Sequence, residues 1–317
     1  MKAVRFRGGR ATVVEVPEPG GPGVPVRVAS AGICGSDLHM LEWELPVVAG
    51  HELAGTTPDG RHVAVEPITP CDACPACLAG AYNHCSQAGS VILGVGRDGG
   101  MAETCVVPES ALVPLAAGVA PADACLVEPL AVAVHGMRRG GIRAGAVVAV
   151  VGAGSIGLSA LVAARAVGAQ VEVEARHDHQ AAAAERLGAH HVGAVGTLPE
   201  GRYDAVVEAA GSEDAFSRAA ALARAGGRIV LLGTYWSGRV AFPGFALGMK
   251  EVDVVPSSMY NRATGNRDID AAAELLARQP EIASTMITHR FPLDAAPEAF
   301  ATARDRSAGA IKVVMEP

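Results

Sequence analysis

The chain predicts an α/β protein, a β-rich region followed by a doubly wound parallel sheet, and three observations carry that expectation. Short β-type runs broken by Gly/Pro clusters fill the sequence up to residue 65. From Ala146 onward, apolar runs alternate with alanine-rich helical stretches. Between one such run and the helix after it stands a G-x-G-x-x-G motif.

In chain order, MKAVRF, ATVVEV, PVRVAS and HVAVEP read as strands, interrupted by clusters such as PEPGGPGVP. AETCVVP adds another strand, and helical character is expected only from near Pro121. The second half alternates AVVAVVGAG, LSALVAARAVGA, QVEVEAR, AAAAERLGA, YDAVVEAAG, RAAALARAGG and RIVLLG. Runs as continuously apolar as VVAVV and IVLL fit strands covered on both faces, as in a parallel sheet. After Tyr260 come two helix candidates, DIDAAAELLARQ and DAAPEAFATARDR, and a last strand, AIKVVM.

With 317 residues, half of them hydrophobic, the chain can build two cores of ordinary size. A net charge of -7 without any basic run excludes nucleic-acid binding as the main activity, since that requires a concentrated Lys/Arg surface. Apolar runs are too interrupted to span a membrane, and MKAVRFRGGR lacks the apolar stretch of a signal peptide. A cytoplasmic protein with a small-molecule partner is the expectation. In that compartment seven cysteines, four of them between Cys71 and Cys85, point to metal rather than disulfides.

Cys71, Cys74, Cys77 and Cys85 form C-x2-C-x2-C-x7-C, a spacing that lets one loop wrap four thiolates around a structural zinc. An iron–sulfur cluster and unligated thiols are the alternatives. Cys105 and Cys125, in apolar contexts, are expected in the core. Within AGICGSDLHMLEWELPVVAGHE, Cys34 and His51 offer the thiolate and imidazole of a catalytic zinc, with Ser36, Asp37 and His39 as proton-transfer groups beside it. Alone, such a pair is more often a buried thiol and a surface or core histidine. Glu128, in CLVEPLAVAVHG, is a candidate third ligand or simply an acid at a helix start.

In Gly152-Ala153-Gly154-Ser155-Ile156-Gly157, the first glycine permits the tight turn, the second lets backbone approach a pyrophosphate, and the third lets helix pack on strand. A structural glycine turn is the alternative. The second strand ends at Ala175, where an acid for the adenosine ribose is expected, and Arg176 follows. An arginine without the acid accommodates a 2′-phosphate; a surface arginine is the alternative. Glu172 and Glu174 share one strand face opposite Val171, Val173 and Ala175, and are expected to be solvated rather than ribose-bound.

Together GICGSDLH, GHE, VAVEP, the four cysteines, EPLAVAVHG and VVGAGSIG resemble the zinc-dependent medium-chain dehydrogenase/reductases, and among them the sorbitol and threonine dehydrogenase-like branch, over nearly the whole chain. The resemblance implies a GroES-like catalytic domain (1–130) bearing the structural zinc lobe, a Rossmann coenzyme domain (131–260), and a return to the catalytic domain (261–317). It casts Cys34, His51 and Glu128 as ligands of a catalytic zinc at the cleft between the domains, with Glu52 assisting ligand exchange. Ser36 then meets the substrate oxygen, His39 carries its proton towards solvent, and Asp37 orients the metal-bound histidine. Two departures affect specificity. The segment between His39 and Gly50 is short, and TPDGRH joins two strands where the family has a glycine-rich hairpin.

The function expected from these residues is hydride transfer between a secondary alcohol, polyol or sugar-like substrate and NADP, with NAD the less favoured coenzyme. Two zinc ions per subunit and a homodimer or homotetramer complete the expectation. A thiolate and a carboxylate cancel the zinc charge formally, so loss of the alcohol proton depends on Ser36 and His39. The rivals are a dinucleotide sensor without turnover and a zinc-free quinone or enone reductase. Neither needs Cys34 and Ser36.

Overall fold

The computed structural model describes residues 1–236, 238–262, 265–305 and 307–317. It divides into two compact units, residues 1–128 with 261–317, and residues 129–260.

The first unit opens with β1 (Lys2–Arg7), β2 (Arg10–Glu15), β3 (Val24–Gly32), the short helix α1 (Gly35–Met40), β4 (Glu52–Thr56) and β5 (His62–Val65). After them come α2 (Pro75–Leu78), β6 (Thr104–Val107), β7 (Leu112–Pro114) and α3 (Val127–Arg139), whose first two residues close this part of the unit. The second unit holds β8 (Val147–Val151), α4 (Ser155–Ala166), β9 (Gln170–Ala175), α5 (Asp178–Arg186), β10 (His191–Ala194) and β11 (Tyr203–Glu208). It continues through α6 (Glu213–Leu222), β12 (Ala223–Leu231), α7 (Gly244–Lys250) and β13 (Asp253–Pro256). The chain then returns to the first unit with α8 (Asp268–Arg278), α9 (Glu281–Met286), β14 (Ile287–Pro292), α10 (Ala296–Arg304) and β15 (Lys312–Glu316).

In the second unit the strands are all parallel, in the order β10-β9-β8-β11-β12-β13. From β8 the chain winds outward to β9 and then crosses to β11 on the other side, so the order reverses between β8 and β11. Ligands of such sheets bind outside the strand ends at that reversal. Continuous burial of Val148, Ala149 and Val150 matches the covered strand expected from VVAVV. The first unit carries a mixed sheet, β14-β15-β3-β4-β5-β7, with β6 also on β3 and a separate β1–β2 hairpin. Its core gathers Phe6, Val26, Leu53, Met101, Phe300 and Met315, residues far apart in sequence that the returning strand β15 closes.

Several local expectations differ from the structure. Helix α1 occurs well before Pro121, because the Asp37 carboxylate caps the backbone N–H of Cys34 at 2.9 Å and holds a single turn. The RAAALARAGG stretch turns to strand at Ala223, which pairs with Tyr203, while Ser212 caps the helix start by accepting from Ala215 N at 3.3 Å. The end of DAAPEAFATARDR, Arg306, lies outside the described residues. Glu172 and Glu174 are buried instead of solvated. The Tyr203 hydroxyl and Arg202 engage Glu172, and Arg218 makes a fork of hydrogen bonds to Glu174, so both carboxylates have partners within the domain.

Candidate active site

Strand β3 delivers Cys34 and strand β4 begins just after His51, and the antiparallel β3–β4 pairing brings the two ends together. The sulfur of Cys34, an imidazole nitrogen of His51 and a carboxylate oxygen of Glu52 all lie within 4.8 Å of one another. Gly32, paired with Glu52, must lack a side chain, since a Cβ there would meet Glu52 Oε2 at 2.2 Å. Gly50, at φ +94°, sets the turn into His51 and has Met101 packed against the place of its missing side chain.

Around His51 the expected groups assemble. Ser36 Oγ lies 3.4 Å from His51 Nε2, while the Asp37 carboxylate stands 3.6 Å from Nδ1 on the other side of the ring. Burial works against the imidazolium, but the negative charges of Asp37, Cys34 and Glu128 outweigh it and hold the His51 pKa well above its usual value. Burial, helped by the Glu52 charge, pushes the Asp37 carboxyl up, with His51 opposing. Nδ1 of His51 and Oδ1 of Asp37 are both buried without a hydrogen-bond partner. This surplus of negative and soft donor groups fits a divalent cation on the Cys34/His51 side, which leaves Asp37 to orient the ring. His39, on the same turn as Ser36, is exposed.

The two acids expected near the ion occupy different places. Glu52, and not Glu128, falls into the tight donor group among the described residues. Glu52 already has a counter-ion: Lys312 Nζ donates to its two oxygens at 2.7 and 2.5 Å and to the Ile33 carbonyl at 3.0 Å, with both side chains buried. Burial opposes the Lys312 cation, and the Glu52 and Cys34 charges override it, so its pKa is raised. Glu128 is buried at the start of α3, close enough for its charge to act on His51. Sequence reasoning missed Lys312. The available signal was a lone lysine inside the apolar strand AIKVVM, which needs a buried acid to be tolerated.

The four remaining clustered cysteines form a second donor group, again within 4.8 Å of one another. Cys74 Sγ lies 3.4 Å from Cys77 Sγ, and Cys71 Sγ 3.8 Å from it. A tetrahedron of sulfurs with ~2.3 Å bonds has edges of ~3.8 Å, so one ion fits. Backbone N–H groups of Ser86 and Cys77 draw Cys74 down to about 6, and N–H donors also lower Cys85. Cys105 and Cys125 lie elsewhere in the core as expected, and burial pushes both thiols up to about 12.

In the second unit the glycine motif occupies the turn from β8 into α4. Gly152 sits at φ +97°, and Gly157 packs so tightly that a Cβ would fall 1.8 Å from Gly152 O. Gly154, by contrast, faces open space, and the adjacent Ser155 hydroxyl is buried without a partner. An empty approach, an orphaned hydroxyl and the amino end of a twelve-residue helix fit a pyrophosphate. Ile156 follows in the first turn of α4. The last residue of β9, Ala175, is buried, and Arg176 just past the strand is exposed. The nearest carboxylate in the strand, Glu174, is committed to Arg218 and to the backbone N–H groups of Gly196 and Leu198.

Known proteins place this architecture. Residues 20–117 match the alcohol dehydrogenase GroES-like domain, and residues 155–278 match the zinc-binding dehydrogenase family. L-galactonate-5-dehydrogenase of Escherichia coli (strain K12) is 33% identical over 310 residues, covering 88% of this chain and 87% of that protein. Sorbitol dehydrogenase of Homo sapiens is 31% identical over 322 residues, covering 90% and 87%. A structure described as a zinc-binding dehydrogenase of Sinorhizobium meliloti 1021, bound to NADP, superposes with a TM-score of 0.87 at 32% identity, over 100% of this chain and 99% of the other. With the paired domains and both cysteine groups in place, the chain belongs to the zinc-dependent medium-chain dehydrogenase/reductases of the alcohol dehydrogenase superfamily, in the sorbitol dehydrogenase-like branch.

Proposed function

We propose that this alcohol dehydrogenase oxidises a secondary hydroxyl of a polyol or sugar-derived substrate with NADP, using one catalytic and one structural zinc per subunit. The observation that carries the reading is the coincidence, around one partly buried histidine, of a thiol, a carboxylate set and a serine hydroxyl. In this reading Cys34, His51 and Glu128 hold the catalytic ion, while Cys71, Cys74, Cys77 and Cys85 hold the structural one. Glu128 is preferred to Glu52 because Lys312 occupies both Glu52 oxygens. The first relatives, named for a sugar acid and a polyol, support the substrate class. Residues 1–130 with 261–317 serve as the catalytic domain and 131–260 as the coenzyme domain, in a homodimer or homotetramer.

The zinc supplies a Lewis acid for the substrate oxygen, and the coenzyme supplies the hydride acceptor. Ser36 accepts the hydroxyl proton and passes it towards exposed His39 and solvent. Asp37 keeps the His51 ring in register through Nδ1. Gly152, Gly154, Ser155, Ile156 and Gly157 bind the pyrophosphate end of the coenzyme. Coenzyme choice rests on Ala175 and Arg176: no carboxylate repels a 2′-phosphate there, because Glu174 is already used by Arg218, and the exposed guanidinium can meet one with paired, charge-assisted hydrogen bonds.

An assay crossing NADP and NAD with polyols, sugar acids, diols and simple secondary alcohols, run beside metal analysis, tests the whole reading. Two zinc ions per chain and NADP-linked oxidation of a polyhydroxylated substrate are expected. Charge-assisted hydrogen bonds contribute ~1.5–3 kcal/mol, so Arg176→Ala is expected to weaken NADP use on the order of 10 to 100-fold and leave NAD use unchanged. An equal effect on both coenzymes makes Arg176 a surface residue and overturns the NADP assignment.

A further inference from the structure

Next to Arg176 in the chain lies a pair of histidines whose rings are stacked on each other. His177 occupies the cap position of α5, and its carbonyl accepts the N–H groups of Gln180 and Ala181 at 3.0 Å, while its side chain takes no part in capping. The His177 and His179 rings are stacked, 5.5 Å between centroids and 10° from parallel. Both are half-buried, and Arg176 and Asp178 on either side of His177 are exposed.

The local charge is therefore conditional. With neutral imidazoles, Arg176 and Asp178 cancel. Each proton taken by a histidine adds a positive charge at the place where a 2′-phosphate is read. Two parallel imidazolium rings repel each other, and a phosphate beside them relieves that repulsion with hydrogen bonds to a charged donor. Consistent with this, burial and the charge of His177 both lower the His179 pKa, with Asp178 opposing.

Other ionisable groups packed on α5 do not substitute for the pair. Helix α5 packs on β9, β10 and α4. From β9, Glu172 is engaged by Tyr203 and Arg202 and Glu174 by Arg218. His191 sits at the starting end of β10, with His190 just before it accepting from Val171 N. Arg165 of α4 donates to Leu187 O beyond the far end of α5, and Glu185 and Arg186 lie in the last turn of α5.

We propose that His177 and His179 complete the 2′-phosphate site with Arg176, so that preference for NADP over NAD rises as the pH falls through the imidazole range. The proposal rests on the reading that Arg176 meets that phosphate. The sign follows from the protonation states. Above the imidazole range the site is neutral overall and discriminates through Arg176 alone. Below it the site gains up to two positive charges, partly offset because the phosphate itself takes a second proton near pH ~6.

The test is calorimetric titration of the zinc-loaded enzyme with NADP and, separately, with NAD at about pH 8 and about pH 5.5. NAD lacks only the 2′-phosphate and serves as the internal reference for integrity of the site. The ratio of the two dissociation constants is expected to move roughly tenfold in favour of NADP on acidification. In His177→Gln/His179→Gln it is expected to stay flat or to decline as the phosphate protonates. A native enzyme that follows the same course as the double variant overturns the proposal. If Arg176→Ala still lowers the ratio in that case, only the histidine pair fails. If Arg176→Ala leaves the ratio unchanged at both pH values, the underlying NADP reading fails with it.

Discussion

The two units make their sites by opposite means. In the first, the candidate site is assembled from buried and partly buried ionisable side chains: Cys34, Asp37, His51, Glu52, Glu128 and Lys312 act on one another's charge. In the second, it is assembled from missing side chains, with a tight turn at Gly152, an open approach at Gly154 and a packed contact at Gly157. A site of the first kind is sensitive to the identity of each donor and its counter-charge. One of the second kind is sensitive to volume. The four-cysteine lobe belongs with the first unit in composition but contains only sulfur donors, a closed set with no mixed chemistry.

The largest effect that can break this comparison comes from the donors. Cys34→Ala is expected to release one of two zinc ions and lower turnover on the order of 10³-fold or more, while the melting curve stays near native. Cys74→Ser should release the other ion and lower the melting temperature by roughly 10 °C, because a structural metal contributes folding free energy. Metal analysis and calorimetry on both variants read the contrast directly. Similar behaviour would erase the distinction between an open site and a closed one.

A smaller effect sharpens the account of the proton path. Ser36→Ala should reduce turnover by roughly 10²-fold with zinc content and coenzyme affinity retained. His39 is exposed, where water can replace it, so His39→Ala should cost less than Ser36→Ala. Single-turnover kinetics across pH decide the point; an unchanged rate in Ser36→Ala moves the proton path elsewhere.

Volume gives the smallest and most discriminating effect. A Cβ on Gly154 meets nothing within 4 Å, so Gly154→Ala should melt like the native protein yet bind coenzyme about tenfold more weakly, its methyl group standing where the pyrophosphate approaches. On Gly157 the same methyl falls 1.8 Å from Gly152 O, so Gly157→Ala should lose stability as well as affinity. Equal melting of the two variants would mean that the turn yields more readily than its packing indicates.

Sequence periodicity exposed the second unit almost completely, because apolar strands and a glycine turn are local signals. Strand β8, the Gly152–Gly157 turn and helix α4 lie consecutively and need no distant partner to be recognised. The cysteine spacings were legible for the same reason. What stayed hidden depends on contacts across long sequence separations. Glu174 looked solvated because Arg218, which neutralises it, comes from α6, 44 residues further along the chain. Glu52 was expected only to assist ligand exchange, because Lys312, its counter-ion, lies 260 residues away. Strand alternation correctly put Glu172 and Glu174 on one face but could not show that the face was covered. Helix α1 escaped because a single capped turn is too short to carry a period.

The separation between Glu52 and Lys312 also bears on how the protein is made. A chain growing at ~5–20 residues per second needs roughly 13 to 50 seconds after Glu52 is added before Lys312 is added. Throughout that interval Cys34, His51 and Glu52 have been synthesised, but strand β15 is missing from beside β3 and the buried carboxylate lacks its cation. Until β15 is made, the nascent chain therefore lacks the cation that Glu52 has in the folded protein. Closure of the first unit by β15 is the event that buries the Glu52 carboxylate with its counter-ion, and it can come only after the whole second unit has been synthesised.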